Sequence, residues 1–208
     1  MPIYLIIFFI LTDDELIFRI LLGVTLVSFV SHRAYYTRKF QADVGEDSPT
    51  PGSGPGQKIA SLLAVVGLVA IILYLINPGW MAWSSLPLPA WLRWLGAAIA
   101  LSGFGLLQWA QNTLGENWSD RAHLGAGHQL VVSGPYKYVR HPIYASFLLV
   151  LGSTFLVSAN WFIGGTWIMM MALDIRSRIE IEERLMIARY GEEYLQYMSR
   201  TGRIFPEL

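Results

Sequence analysis

The sequence predicts an all-α integral membrane bundle of about five transmembrane helices, followed by a cytoplasmic amphipathic helix toward the C-terminus. Two observations carry this expectation. Charged residues make up 14% of the 208-residue chain and hydrophobic residues 54%, whereas a soluble domain carries roughly 25% charged residues. The charges are also clustered, so that residues 59–92, 94–115 and 142–173 hold no Asp, Glu, Lys or Arg. A helix crossing the hydrocarbon core needs about 20 mostly apolar residues, and these runs supply them. Residues 1–208 therefore read as a single membrane domain. The balance of 15 Lys+Arg against 15 Asp+Glu removes the basic footprint of nucleic-acid binding. With no Cys in the chain, disulfides, thiolate metal sites and a Cys nucleophile are excluded.

The first predicted span covers about residues 16–35. Thr12 with Glu15 three residues on is a capping-box pattern that starts it, and Arg19 lies near enough to its end to snorkel into the headgroups. Ahead of it, the apolar run Ile3–Leu11 lacks the basic segment and cleavage site of a signal peptide and reads as interfacial or poorly ordered. Residues 41–57, with Asp43, Glu46, Asp47 and a Pro/Gly/Ser run, read as a flexible loop. The second and third spans are about 58–76 and 90–108, and Trp80, Trp83 and Trp91 in their connection suit the headgroup level. Within the third, Gly103-Phe104-Gly105 suits either helix packing or a cofactor contact.

The run 142–173 is interrupted by Ser158-Ala159-Asn160-Trp161. It reads as a tight hairpin of two helices, about 142–157 and 160–175, with one long span plus a re-entrant piece as the alternative. Gly152, Gly164 and Gly165 suit close approach inside it, and Met169, Met170 and Met171 suit core packing. Residues 174–208 carry charges at helical spacings, so a charged helix continues out of the last span. On it, Arg176, Glu180 and Glu183 are expected on one face.

Orientation follows from Lys and Arg near the span ends. Arg33, Arg38, Lys39 and Lys58 fall in one connection, Arg121, Lys137 and Arg140 in another, and six Arg near the C-terminus, while 77–92 and 158–161 have none. A multi-pass protein with its N-terminus outside and its C-terminus in the cytoplasm satisfies every connection. Residues 116–144 and 174–205 then face the same compartment.

Residues 134–144 read G-P-Y-K-Y-V-R-H-P-I-Y. Gly134-Pro135 makes a turn, Arg140-His141 sets a guanidinium and an imidazole at the membrane surface, and Pro142 suits the first turn of the next helix. The free N–H groups and dipole of that helix start favour a carboxylate. Tyr136, Tyr138 and Tyr144 with Lys137 equally suit a plain interfacial anchor.

The order of elements narrows this choice. Gly115-Glu116-Asn117-Trp118-Ser119, then Gly127-His128 with Leu130, the 134–144 run, an apolar hairpin, Glu182-Glu183, and Arg189-Tyr190-Gly191-Glu192-Glu193-Tyr194 with Tyr197 resembles the isoprenylcysteine carboxyl methyltransferase family. Phospholipid methyltransferases share part of the pattern. The resemblance covers about residues 110–206. It implies a membrane methyltransferase that uses S-adenosylmethionine, without a metal, on an amphiphilic small molecule, lipid or prenylated acceptor in contact with membrane lipids. It nominates Arg140 and Glu183 as catalytic, with Arg140 holding the acceptor carboxylate. It nominates His128, Leu130, Gly134, Pro135, Tyr136, Arg140, His141, Pro142, Tyr144, Glu182 and Glu183 around the cofactor. Ala145-Ser146 stands where members acting on prenylated proteins often carry an aromatic residue, which leaves the acceptor open. A phospholipid or amine N-methyltransferase, an NADPH-dependent membrane reductase and a non-enzymatic membrane subunit are the alternatives.

Overall fold

In the computed structural model, residues 13–40, 55–117 and 129–207 are described. They form six α-helices: α1 Asp13–Phe40, α2 Pro55–Ile76, α3 Ala90–Leu114, α4 Pro142–Ser158, α5 Trp161–Tyr190 and α6 Glu192–Met198. Short 3-10 turns lie at Pro78–Ser84, Gly115–Asn117 and Gly134–Lys137. The chain is all-α over these residues. The leading run, Thr12 and most of the expected 41–57 loop lie outside them, whereas residues 55–57 open α2 and are helical.

Among the described residues, three helices are long and apolar enough to cross a membrane: Asp14–Lys39, Gly56–Ile76 and Ala90–Leu114. Pro142–Ser158 is a shorter apolar helix, about 26 Å long at the usual rise. Helices α1 and α3 run several residues past the expected ends, and α5 continues to Tyr190 as the expected charged helix out of the last span. Hydropathy marks where the hydrocarbon stops, while backbone hydrogen bonding carries a helix on into water or headgroups.

The expected hairpin is present as two helices. Ala159 adopts the left-handed conformation at φ 47, and the Asn160 side chain caps α5 by accepting from Ile163 N. Its Nδ2 also donates to the Met81 carbonyl, and an antiparallel bridge joins Asn160 to Ser85. The connections 77–89 and 159–160 therefore meet at one end of the bundle. Of the three hairpin glycines, only Gly164 is pressed against a neighbour, Phe155; Gly152 and Gly165 have open space. Met171 is buried in the core, but Met169 is 59% exposed.

Small residues set the spacing of the other helices. A Cβ on Gly96 would meet Leu156 at 2.7 Å, and one on Gly103 would meet Val150 at 2.8 Å, so α3 lies antiparallel along α4 at close range. Gly103 is thus a packing residue, while Gly105 has nothing within 4 Å. Gly67 of α2 similarly meets Trp167 of α5 at 3.0 Å.

One charged residue departs from expectation at the 77–89 end. Glu15, expected in a capping box, is 6% exposed and accepts from Arg93 Nη1 at 2.6 Å and from the Tyr74 hydroxyl. Arg93 also donates from Nε to the Val157 carbonyl at 3.0 Å and stacks 4.0 Å over Phe18. A buried carboxylate takes the strongest partner in reach, and a guanidinium outcompetes a backbone N–H. Arg19 donates to the last carbonyls of α2, Leu75 and Ile76.

Candidate active site

The other end of the bundle holds the sequence-nominated residues. Gly134 sits at φ 57, and a Cβ there would lie 2.7 Å from Thr113 Oγ1. Only glycine suits both the backbone and the space, and it seats the turn 134–137 on the last residues of α3. Pro135 and Tyr136 are buried in that turn. Tyr197 of α6 donates to the Tyr136 carbonyl at 2.6 Å; burial pushes this phenol up to about 12, so it stays a neutral donor.

The C-terminal segment then pairs with the R-H-P run. Val139 forms a parallel bridge with Gly202, Arg140 N donates to the Gly202 carbonyl at 2.8 Å, and His141 N donates to the Arg203 carbonyl at 2.9 Å. Gly202 has no room for a side chain, since a Cβ would collide with the Phe205 carbonyl.

Arg140 and Glu183 lie at the centre, with side chains 6% and 4% exposed. Arg140 Nε donates to Glu183 Oε1 at 2.9 Å. Its Nη1 donates to the carbonyls of Met198, at 3.1 Å, and Thr201. Arg203 Nη2 donates to Glu183 Oε2 at 2.7 Å. The guanidinium expected to hold an acceptor carboxylate is thus engaged by protein oxygens, because Glu183 and two carbonyls of the folded-back segment reach it. Glu183 is bridged by two arginines.

Glu182 and Glu183 are adjacent yet differ in environment. Burial raises Glu183, but the surrounding His141, Arg140 and Arg203 outweigh it and hold the carboxyl down at about 2. For Glu182, burial dominates and its carboxyl is raised despite nearby His141, Tyr144 and Arg178. Tyr144 donates to Glu182 Oε1. His141 lies between the pair, Nδ1 3.5 Å from Glu182 and Nε2 3.5 Å from Glu183. One carboxylate is locked into a brace; the other faces a tyrosine and an imidazole.

The structure therefore joins Arg140, His141, Tyr144, Glu182 and Glu183, with Gly134, Pro135 and Tyr136 beneath the loop and Pro142 buried at the start of α4. Leu130 is half-buried on the approach, after Gln129, whose N–H donates to Asn117 Oδ1 at 2.8 Å. His128 lies outside the described residues. Arg176, Glu180 and Glu183 follow one another at helical spacing on α5, but Arg176 and Glu180 are exposed and only Glu183 is buried. Arg203 was not legible as a site residue: it reaches Glu183 through the strand-like pairing of residues 201–203, which has no sequence period.

Fold and site together define a multi-pass α-helical membrane protein with a carboxylate- and arginine-lined site at one end of the bundle. A solved structure of the eukaryotic intramembrane Ras methyltransferase, isoprenylcysteine carboxyl methyltransferase, has a similar fold, with TM-score 0.54 and 22% identity over 74% of this chain and 53% of that one. The family model for isoprenylcysteine carboxyl methyltransferases matches residues 95–188, from α3 through the paired glutamates. It is 31% identical over 126 residues to the rat protein-S-isoprenylcysteine O-methyltransferase, covering 60% of this chain and 44% of the relative. It is 32% identical over 71 residues to methanethiol S-methyltransferase 1 of Bradyrhizobium diazoefficiens, 34% of this chain and 24% of that relative. The chain thus spans about half the length, or less, of these curated relatives.

Proposed function

We propose that this protein is an integral membrane methyltransferase that uses S-adenosylmethionine to O-methylate the carboxylate of an isoprenylcysteine-like or other amphiphilic acceptor. The observation that supports it most is the meeting of Arg140, His141 and Tyr144 with Glu182 and Glu183 inside the family-matched stretch. The residues fit the cofactor. Glu182, oriented by Tyr144 and His141, offers an anion for an ammonium; the first turn of α4 offers N–H groups for a carboxylate. Tyr136 Oη is buried without a hydrogen-bond partner, as a group set for a polar ligand. When bound, the cofactor supplies a methyl group on a sulfonium.

The chain's own residues have the remaining tasks. The Arg140–Glu183–Arg203 brace holds the C-terminal segment over the R-H-P loop, which keeps His141 and Glu182 in place and water out. An acceptor carboxylate with a pKa near 3.5 arrives ionised, so no general base is required. In this reading all five long helices cross the bilayer, the site and C-terminus face the cytoplasm, residues 1–208 form one domain, and residues 110–206 carry the chemistry. The acceptor's acyl or prenyl chain partitions into lipid and enters from the bilayer.

Similarity to a methanethiol S-methyltransferase favours a small thiol as the second reading. Transfer of labelled methyl to a farnesylated cysteine analogue and to methanethiol, each followed against pH, separates the two. A carboxylate acceptor gives a flat rate from about pH 6 upward, whereas a thiol gives a rate that keeps rising with pH as the thiolate appears. Methanethiol turned over in preference to the farnesylated compound overturns the carboxyl reading.

A further inference from the structure

Gln111 lies on the inner face of α3 and is 1% exposed, and neither its amide oxygen nor its amide nitrogen has a hydrogen-bond partner. Its neighbour Gln108, by contrast, donates to the Tyr36 hydroxyl at 2.9 Å and to Asn112 at 2.7 Å. A buried amide with no partner weakens the fold, and an apolar residue of the same size would pack there at less cost. Such a group in a native core has its explanation in something the folded chain alone does not supply.

Its position follows from helix register. Gly96 packs on Leu156 and Val157, and Gly103 packs on Leu149 and Val150. A seven-residue advance along α3 is thus a seven-residue retreat along α4. One more step from Gly103 pairs Ala110 with Ile143, which sets Gln111 level with Pro142, at the R-H-P loop. Another partnerless buried group belongs to that loop, Tyr136 Oη.

A carboxamide presents one acceptor beside two N–H donors in a plane. Its complement is a ligand edge with a donor next to an acceptor, and adenine, with its exocyclic amine beside a ring nitrogen, is such an edge; glutamine pairs with it bidentately. Resting on the methyltransferase reading above, we propose that Gln111 is the residue that recognises the adenine edge of the cofactor, from the membrane-buried side of the site. The amide of a peptide-like acceptor has the same donor–acceptor chemistry, and the test separates the two.

The test compares the detergent-purified parent with Gln111→Met, and with Gln111→Leu as a second variant should the first misfold. Three quantities are read: thermal stability without ligand, the dissociation constant for S-adenosylhomocysteine by calorimetry, and the KM of a farnesylated acceptor. The expected result is a variant at least as heat-stable as the parent when empty, binding S-adenosylhomocysteine at least tenfold more weakly, with acceptor KM little changed. Unchanged S-adenosylhomocysteine affinity with a raised acceptor KM assigns the edge to the acceptor and overturns the adenine assignment. Unchanged values of both, with higher stability, mean that Gln111 serves no ligand. Absence of S-adenosylhomocysteine binding by the parent overturns both this inference and the reading it rests on, whereas failure confined to the variant comparison overturns the inference alone.

Discussion

Glu183 shows how one carboxylate is turned from a surface charge into a structural anchor. Its depressed value of about 2, against 4.5 for an ordinary glutamate, means that ionisation and folding support each other. That contribution is fully present above about pH 4.5 and is lost as pH falls toward 2. Thermal unfolding of the parent should lose stability across that window more steeply than Glu183→Gln, which has no such carboxyl; matching slopes would contradict the assignment. The two arginines should also differ. Arg140→Ala strips a buried partner and should destabilise by about 3–5 kcal/mol. Arg203 is 55% exposed, so Arg203→Ala should cost about 1 kcal/mol or less. Chemical denaturation of both variants measures the ratio.

At the scale of elements, the far end of the bundle depends on Arg93 in the way the site depends on Arg140. It is the one charge between Lys58 and Glu116, a signal that an intramembrane partner exists, though the sequence does not say that Glu15 and Tyr74 provide it. Arg93→Met should destabilise by about 3–5 kcal/mol by leaving Glu15 buried and unpaired. The double change Arg93→Met with Glu15→Met should recover most of it, while S-adenosylhomocysteine binding stays unchanged; equal losses in the single and double variants would contradict the pairing. The helices themselves were legible because charge-free runs report burial in lipid directly. The ends of α1 and α3 were not, since both continue past the expected limits, whereas the charged continuation of α5 was. The R-H-P motif and the glutamate pair were legible as a pattern, and Arg203 and Gln111 were not. Their roles arise from packing across tens of residues, which leaves no period in the sequence. For Arg140, the motif names a guanidinium without saying that Glu183 and two backbone carbonyls reach it.

For the whole molecule, alternation of five long helices puts the connections 77–89 and 159–160 at one end and the R-H-P loop with α6 at the other. In the proposed orientation, the Lys- and Arg-rich connections face the cytoplasm. The chain has no native cysteine, so Ser85→Cys and Gln196→Cys, both at exposed positions, report sidedness cleanly. Ser85→Cys should react with an impermeant maleimide on intact cells, and Gln196→Cys only after permeabilisation; the reverse pattern would place the site outside the cytoplasm. The central claim is that the end of the bundle carrying Arg140, His141, Glu182 and Glu183 binds S-adenosylmethionine, and equilibrium binding of S-adenosylhomocysteine and of NADPH to the purified protein tests it most directly. Saturable S-adenosylhomocysteine binding that His141→Ala weakens at least tenfold, with no NADPH binding, is the predicted result. NADPH binding in its place, or S-adenosylhomocysteine binding indifferent to His141, would contradict it.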